Sequence, residues 1–218
     1  RIEIYKGVVP AKFGGSAMGG AVNIVIKEYP DHYADVSYQL ESFNTNRFQT
    51  VLKKNDRKHG LVYGIGGGYN YADNDYVMES PYVKGLKIKR DHDNYRKVLM
   101  GGSIKAHKWW FDEVEIEPVY LRTYHEIQGI ETDIRQAHTT SQGFLCNTKL
   151  EKEDFLIEGL DFDMSTAVAY TMYSTIDTAK TYYDWTGTGY PTPSVYGGEM
   201  TANRYASNSD NPKITLLH

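Results

Sequence analysis

From Leu160 to Met172 the chain alternates strictly. Even positions read Leu160, Phe162, Met164, Thr166, Val168, Tyr170 and Met172; odd positions read Asp161, Asp163, Ser165, Ala167, Ala169 and Thr171. A period of two gives a strand one apolar face and one small or charged face. At about thirteen residues this strand is longer than most globular strands, and long enough to cross a bilayer at a tilt. Weaker alternation recurs. Val36, Tyr38 and Leu40 interleave with Asp35, Ser37, Gln39 and Glu41, and Phe48, Thr50 and Leu52 with Arg47, Gln49, Val51 and Lys53. Leu61, Tyr63, Ile65, Tyr69 and Tyr71 interleave with Gly64, Gly66, Gly68 and Asn70. Further strands are expected over 94–106, over 113–121 with a bulge or bend at Pro118, over 140–151 and over 214–217. Helical periodicity is almost absent. The expected fold is all-β and antiparallel.

The connections carry a second signal. Those at 42–46, 55–60, 107–112 and 152–159 are short. Those at 74–93 and 176–211 are long, and 129–138 is intermediate. After the first connection, long and short ones alternate. Short turns on one rim and long loops on the other mark a transmembrane barrel. Trp109, Trp110 and Phe111 fall in a short turn, where an interfacial aromatic girdle would lie. The alternative is a soluble sandwich with tyrosine-rich faces. Its strands usually run shorter, and a loop of about 35 residues is unusual in a compact domain.

Composition fits either. The chain is 40% hydrophobic and 24% charged with mean hydropathy −0.55, and no apolar run is long enough for a membrane helix. Barrel strands average to that hydropathy because only alternate residues meet lipid. Nineteen tyrosines against seven phenylalanines suit surfaces with one wet side. A net charge of −4 argues against a nucleic-acid partner. The single cysteine, Cys146, excludes an intrachain disulfide and a paired-cysteine metal site. Both ends fall in strand-like sequence, so the chain is expected to be an internal piece of a longer protein.

The segment "KFGGSAMGGAVNIVIK", Lys12 to Lys27, tests for nucleotide binding. Gly15 and Gly20 have P-loop separation, but Ala21 and Val22 stand where the lysine and hydroxyl belong. Gly15, Ala17 and Gly20 lack the middle glycine of a dinucleotide fingerprint, and Val22 to Ile26 favours a strand over a helix. The glycines read instead as sites of positive φ or close backbone approach.

Taken whole, "RIEIYKGVVPAKFGGSAMGGAVNIVIK" resembles the end of the plug domain of TonB-dependent outer-membrane receptors. The matching residues are Ile2, Glu3, Ile4, Lys6, Gly7, Phe13, Gly14, Ala17, Gly19, Gly20, Val22, Asn23, Ile24 and Lys27. The resemblance implies that residues 1–30 close a plug, with Gly14, Gly19, Gly20 and Asn23 as its structural motif. Residues 31–218 would then supply the first seven or eight of about 22 barrel strands, with outer loops 74–93, 129–138 and 176–211. It implies an outer-membrane import receptor of a Gram-negative bacterium that binds a scarce nutrient, a ferric siderophore, haem or similar. Its partners would be the TonB complex, through a segment N-terminal to this sequence, outer-membrane lipid, the nutrient and in some branches a surface lipoprotein. The runner-up is a non-transporting adhesin or carbohydrate-binding β-protein.

Candidate ligand contacts are Trp185, Tyr190 and Tyr196 in the longest loop and Tyr76 and Tyr82 in loop 74–93, aromatics suited to stacking. Lysines and arginines in loop 74–93 add positive charge. Asp161 and Asp163 are expected to face the lumen, as are Glu113, Glu115 and Glu117. Asp91, His92 and Asp93 are adjacent on one loop and do not make a coordination shell alone. His59, His107, His125 and His138 lack i, i+4 pairing. No metal, cofactor or enzymatic activity is expected.

Overall fold

A computed structural model of the chain describes residues 2–7, 19–24, 31–107, 109–200 and 207–217. These residues form strands and turns, with no helix among them. Strands β1 (Ile2–Lys6) and β2 (Gly20–Ile24) pair antiparallel as a separate two-stranded sheet. Gly20 sits opposite Lys6 at φ +140, and a Cβ there would overlap the Tyr5 carbonyl oxygen, so the close backbone approach expected of the glycines holds at this position.

The main sheet is an eight-stranded antiparallel meander. Its strands are β3 (His32–Glu41), β4 (Thr45–Asp56), β5 (Leu61–Ala72), β8 (Tyr95–His107), β9 (Glu113–Glu126), β10 (His138–Lys152), β11 (Phe162–Asp177) and β14 (Ser207–Leu217), each hydrogen-bonded to the next in that order. Two small hairpins interrupt it: β6 (Tyr76–Glu79) with β7 (Lys87–Arg90), and β12 (Thr181–Tyr183) with β13 (Gly189–Pro191). Loop 74–93 and loop 176–211 are therefore not irregular throughout. β11 also runs on to Asp177 and offers β14 a ladder from Ser207, which shortens the expected last loop at both ends.

Pro118 does not bulge β9. The β8–β9 register is the same on both sides of it, and the ladder merely skips between the pairs Gly101↔Val119 and Ile104↔Ile116. Proline removes one N–H donor without adding a residue. The apolar residues on both sides of Pro118 fall on different faces because both faces of β9 carry some.

Register aligns the alternating residues into rows on one face. Val36, Thr50, Gly67, Met100, Tyr120, Phe144 and Tyr170 form one row. Beside it runs the row Tyr38, Phe48, Tyr69, Val98, Arg122, Gln142 and Met172, followed by Leu40, Asn46, Tyr71, Arg96, Tyr124, Thr140 and Ser174. In the other direction lie Leu52 and Ile65, then Tyr63, Ile104 and Ile116. From Val98 to Ala106 this apolar band measures about 26 Å along the strand at roughly 3.3 Å per residue. The opposite face is mixed in its middle: Gly66, Gly68, Gly101, Gly143 and Ala169 share their rows with Val51, Leu99, Val119, Leu121 and Leu145. At one end it is charged: Lys105 pairs with Glu113 at 2.9 Å and Glu115 at 3.3 Å, and Lys149 with Glu151 at 2.5 Å and Glu113 at 3.5 Å.

The apolar face is uncovered. Val36 is 64% exposed, Ile65 58%, Met100 53% and Phe144 46%. The buried apolar residues among those described are Ala72, Ile88, Ala106, Ile134, Ala137 and Ala179, and all but Ala106 lie in or beside the connections at one end of the sheet. A sandwich would bury its apolar rows against a second layer; here the sheet is one layer thick, and the tightest packing is in the loops.

Candidate ligand-binding site

Strand direction sorts the connections by length. The turns 57–60, 109–112 and 153–161 share one end of the sheet; turn 42–44 and connecting residues 73–94, 127–137 and 178–200 share the other. At the short end Trp110 meets Phe111 and Phe155 edge-on, and Phe155 stacks on Phe162 at 5.1 Å, so Trp109, Trp110 and Phe111 do sit in an aromatic-rich turn. At the long end the connections dock on one another.

Glu199 holds that docking together. It is 1% exposed, and its carboxylate accepts the backbone N–H groups of Gln136 at 2.6 Å, Ala137 at 2.8 Å and Arg135 at 3.2 Å. Asp177, also 1% exposed, accepts Glu199 N and Met200 N at 2.8 Å each. Burial of these carboxylates is tolerable because each oxygen is supplied with N–H donors. The turn that delivers Glu199 passes through Gly197 and Gly198 at φ +97 and +121, which favour glycine. Two further contacts join the same pieces: Trp185 Nε1 donates to Ile130 O at 2.8 Å, and Asp133 N donates to Tyr183 O at 3.0 Å. The Arg135 guanidinium lies 3.7 Å from the Tyr183 ring centre.

Connection 73–94 joins through His92. Its N–H donates to Gln128 Oε1 at 2.9 Å, and its Nε2 lies 2.9 Å from Ala137 O. Gln128 Nε2 and Arg90 Nε are buried without a partner among the described residues. His92 is thus a loop anchor. No group of three or more candidate metal ligands comes together among the described residues.

The five aromatic candidates divide. Trp185 is half-buried and packs the last loop against 127–137. Tyr190 stacks on Tyr182 at 5.3 Å and donates to Asp184 Oδ2 at 3.1 Å, leaving one ring face open. Tyr196 is 76% exposed and Tyr82 59%. Tyr76 lies beside Phe43 at 5.9 Å, under the Arg90 guanidinium at 5.2 Å. The β6–β7 and β12–β13 hairpins do not touch each other; residues 127–137 bridge them. The positive charge of the first hairpin is partly spent internally, since Lys89 pairs with Asp75 at 3.3 Å and Asp91 at 3.4 Å and Arg90 with Asp93 at 3.5 Å.

Asp184 organises the second hairpin. The Thr186 hydroxyl first, then the Thr188 and Thr186 N–H groups and the Tyr190 hydroxyl, hold its carboxyl below the usual carboxylate range, while the same contact raises the Tyr190 phenol.

Asp161 lies one residue outside the strand expected to carry it. β11 begins at Phe162, and Asp161 sits in turn 153–161 accepting Asp154 N at 3.2 Å. A reverse turn of this length needs side-chain acceptors for its N–H groups, which draws Asp161 out of the alternation. Asp163 stays in the strand opposite Glu151 on the face away from the apolar rows. Asn23 lies opposite Glu3, and Gly19 O accepts Gly7 N at 3.4 Å; Gly14 lies outside the described residues. Nothing local in the sequence marked Glu199, Asp177 or Gln128, apart from the paired glycines before Glu199; His92 stood out only as one of three adjacent polar residues, Asp91 to Asp93. No family model, curated protein or solved structure matches this chain.

Proposed function

We propose that the chain is the plug end and first wall strands of a TonB-dependent import receptor of the outer membrane. Its uncovered apolar face meets lipid, its opposite face, mixed in the middle and charged at one end, meets the lumen, and its docked long loops receive a scarce nutrient at the cell surface. The observation that carries this reading is the one-layer sheet whose aligned apolar rows remain open. In water that surface is an aggregation liability, whereas lipid makes it a stabilising contact. The asymmetry of the connections and the plug-like segment with its close approach at Gly20 point the same way. The exposed faces of Tyr82, Tyr190 and Tyr196 would stack on the ligand, and the energised inner-membrane partner would move the plug. Fractionation tests the location: the protein should require detergent for extraction and co-sediment with outer membranes, and recovery in the aqueous fraction would refute the reading. Growth of a deletion strain on single ferric-siderophore, haem, cobalamin or glycan sources then identifies the nutrient, and unimpaired growth on all of them would remove the transport role.

A further inference from the structure

Arg122 ends the apolar and aromatic stretch of its row that runs from Tyr38 to Val98. On its row it follows Tyr38, Phe48, Tyr69 and Val98 and precedes Gln142 and Met172. Unlike its neighbour Arg96, which donates to Asn94 Oδ1 at 3.0 Å and lies over the rings of Tyr71 and Tyr124, Arg122 makes no hydrogen bond, ion pair or ring contact among the described residues. It lines a cleft of about 80 Å³ with Thr140, Ser141, Gln142, Met172 and Ser174. None of these is acidic, so the guanidinium charge has no counterion there. The row on one side is apolar through Met100, Tyr120, Phe144 and Tyr170, and the row on the other mixes Leu40, Tyr71 and Tyr124 with the polar Asn46, Arg96, Thr140 and Ser174. Arg122 therefore stands at the upper boundary of the apolar band, on the side of the long loops.

An unpaired arginine is costly at the centre of a lipid-facing wall and nearly free at its rim, where it reaches headgroups. A planar fork of N–H donors matches phosphate oxygens two at a time, and hydroxyl and amide groups beside it complete the shell. Resting on the membrane reading above, we propose that Arg122, with Thr140 and Gln142, binds the phosphate of an anionic lipid headgroup in the leaflet on the long-loop side. The site fixes the height of the wall in that leaflet and selects its lipid by charge.

The experiment uses the full-length protein to which this chain belongs, reconstituted into phosphatidylcholine vesicles with and without phosphatidylglycerol, with co-purifying lipid measured by native mass spectrometry. Lys84→Gln, an equal charge change on an exposed loop, is the control. The wild type and Lys84→Gln should retain phosphatidylglycerol preferentially. Arg122→Gln should lose about tenfold of that preference, the worth of one charge-assisted contact. Equal preference in Arg122→Gln and wild type would overturn the site while leaving the membrane reading intact. Displacement of the lipid by inorganic phosphate at equal concentration would overturn the lipid assignment in favour of free phosphate. Failure to insert into either vesicle would overturn the membrane reading and the site with it.

Discussion

Replacing Ile65 by arginine asks where the apolar face sits. Ile65 is in the middle of that face, between Leu52 and Gly102, with 58% of its surface open. Full burial of an isoleucine is worth about 1.5–3 kcal/mol, and the sheet realises less than half of it, so in water Ile65→Arg costs about 1 kcal/mol or less. If the face meets lipid, an arginine near the bilayer midplane costs about 2–4 kcal/mol, or roughly thirty- to seven-hundredfold in the folding equilibrium. Gln49→Arg, on the other face of β4 between Ser37 and Gly68, is the comparison, expected within about 0.5 kcal/mol of wild type. The assay is urea-titrated folding of the full-length protein into phosphatidylcholine vesicles, followed by tryptophan fluorescence and by protection from protease. Equal midpoints for Ile65→Arg and Gln49→Arg would refute the assignment of this face to lipid.

Other substitutions probe the loops. Glu199→Ala strips the buried N–H of Ala137 and the part-buried N–H of Gln136 of their acceptor, and should cost about 3 kcal/mol of local stability, read as roughly hundredfold faster hydrogen exchange at 135–137; Glu199→Gln, which keeps an acceptor oxygen, should fall between. Asp184 has a lowered folded pKa, so its contribution is present above the unfolded value near about 3.9 and fades as pH falls through the folded one. Protection factors at Thr186 and Thr188, taken relative to the intrinsic exchange rate at each pH, should therefore fall in acid in the wild type and lose that dependence in Asp184→Asn. Phe43 and Asn44 occupy φ +59 and +53 at the tip of the β3–β4 turn, closed by Thr45 N to Ser42 O at 3.2 Å. This geometry disfavours phenylalanine, so Phe43→Asn should raise the urea midpoint by the equivalent of about 0.5–1 kcal/mol, and a fall would mean that the Phe43–Tyr76 contact outweighs the strain.

Much of the sheet was legible because its signal is local. Side chains alternate along a strand whatever the strand pairs with, so Phe162, Met164, Val168 and Tyr170 fall on one face before any partner is known, and β11 is visible apart from its exact ends. Connection lengths were legible for the same reason. Errors arose where a neighbour decided. Pro118 keeps its place because β8 and β10 hold the register on both sides. Ser207 to Asn211 join β14, though polar, because β11 offers them a ladder. Asp161 leaves the alternation to close a turn.

The candidate site was legible only as a set of aromatic residues on long loops. Glu199 lies some sixty residues from the amides of 135–137 that it binds, and His92 lies as far from its own partners as one loop lies from another. Such pairs leave no periodic trace in the chain. The sequence by itself determined the strands, their two faces and which end carries the long connections, since these follow from backbone geometry and the order of polar and apolar residues. Only the tertiary structure decided which loops lock together, which carboxylates are buried, and that Arg122 lies alone at the edge of the apolar rows, because these depend on register across strands and on contacts between segments distant in the chain.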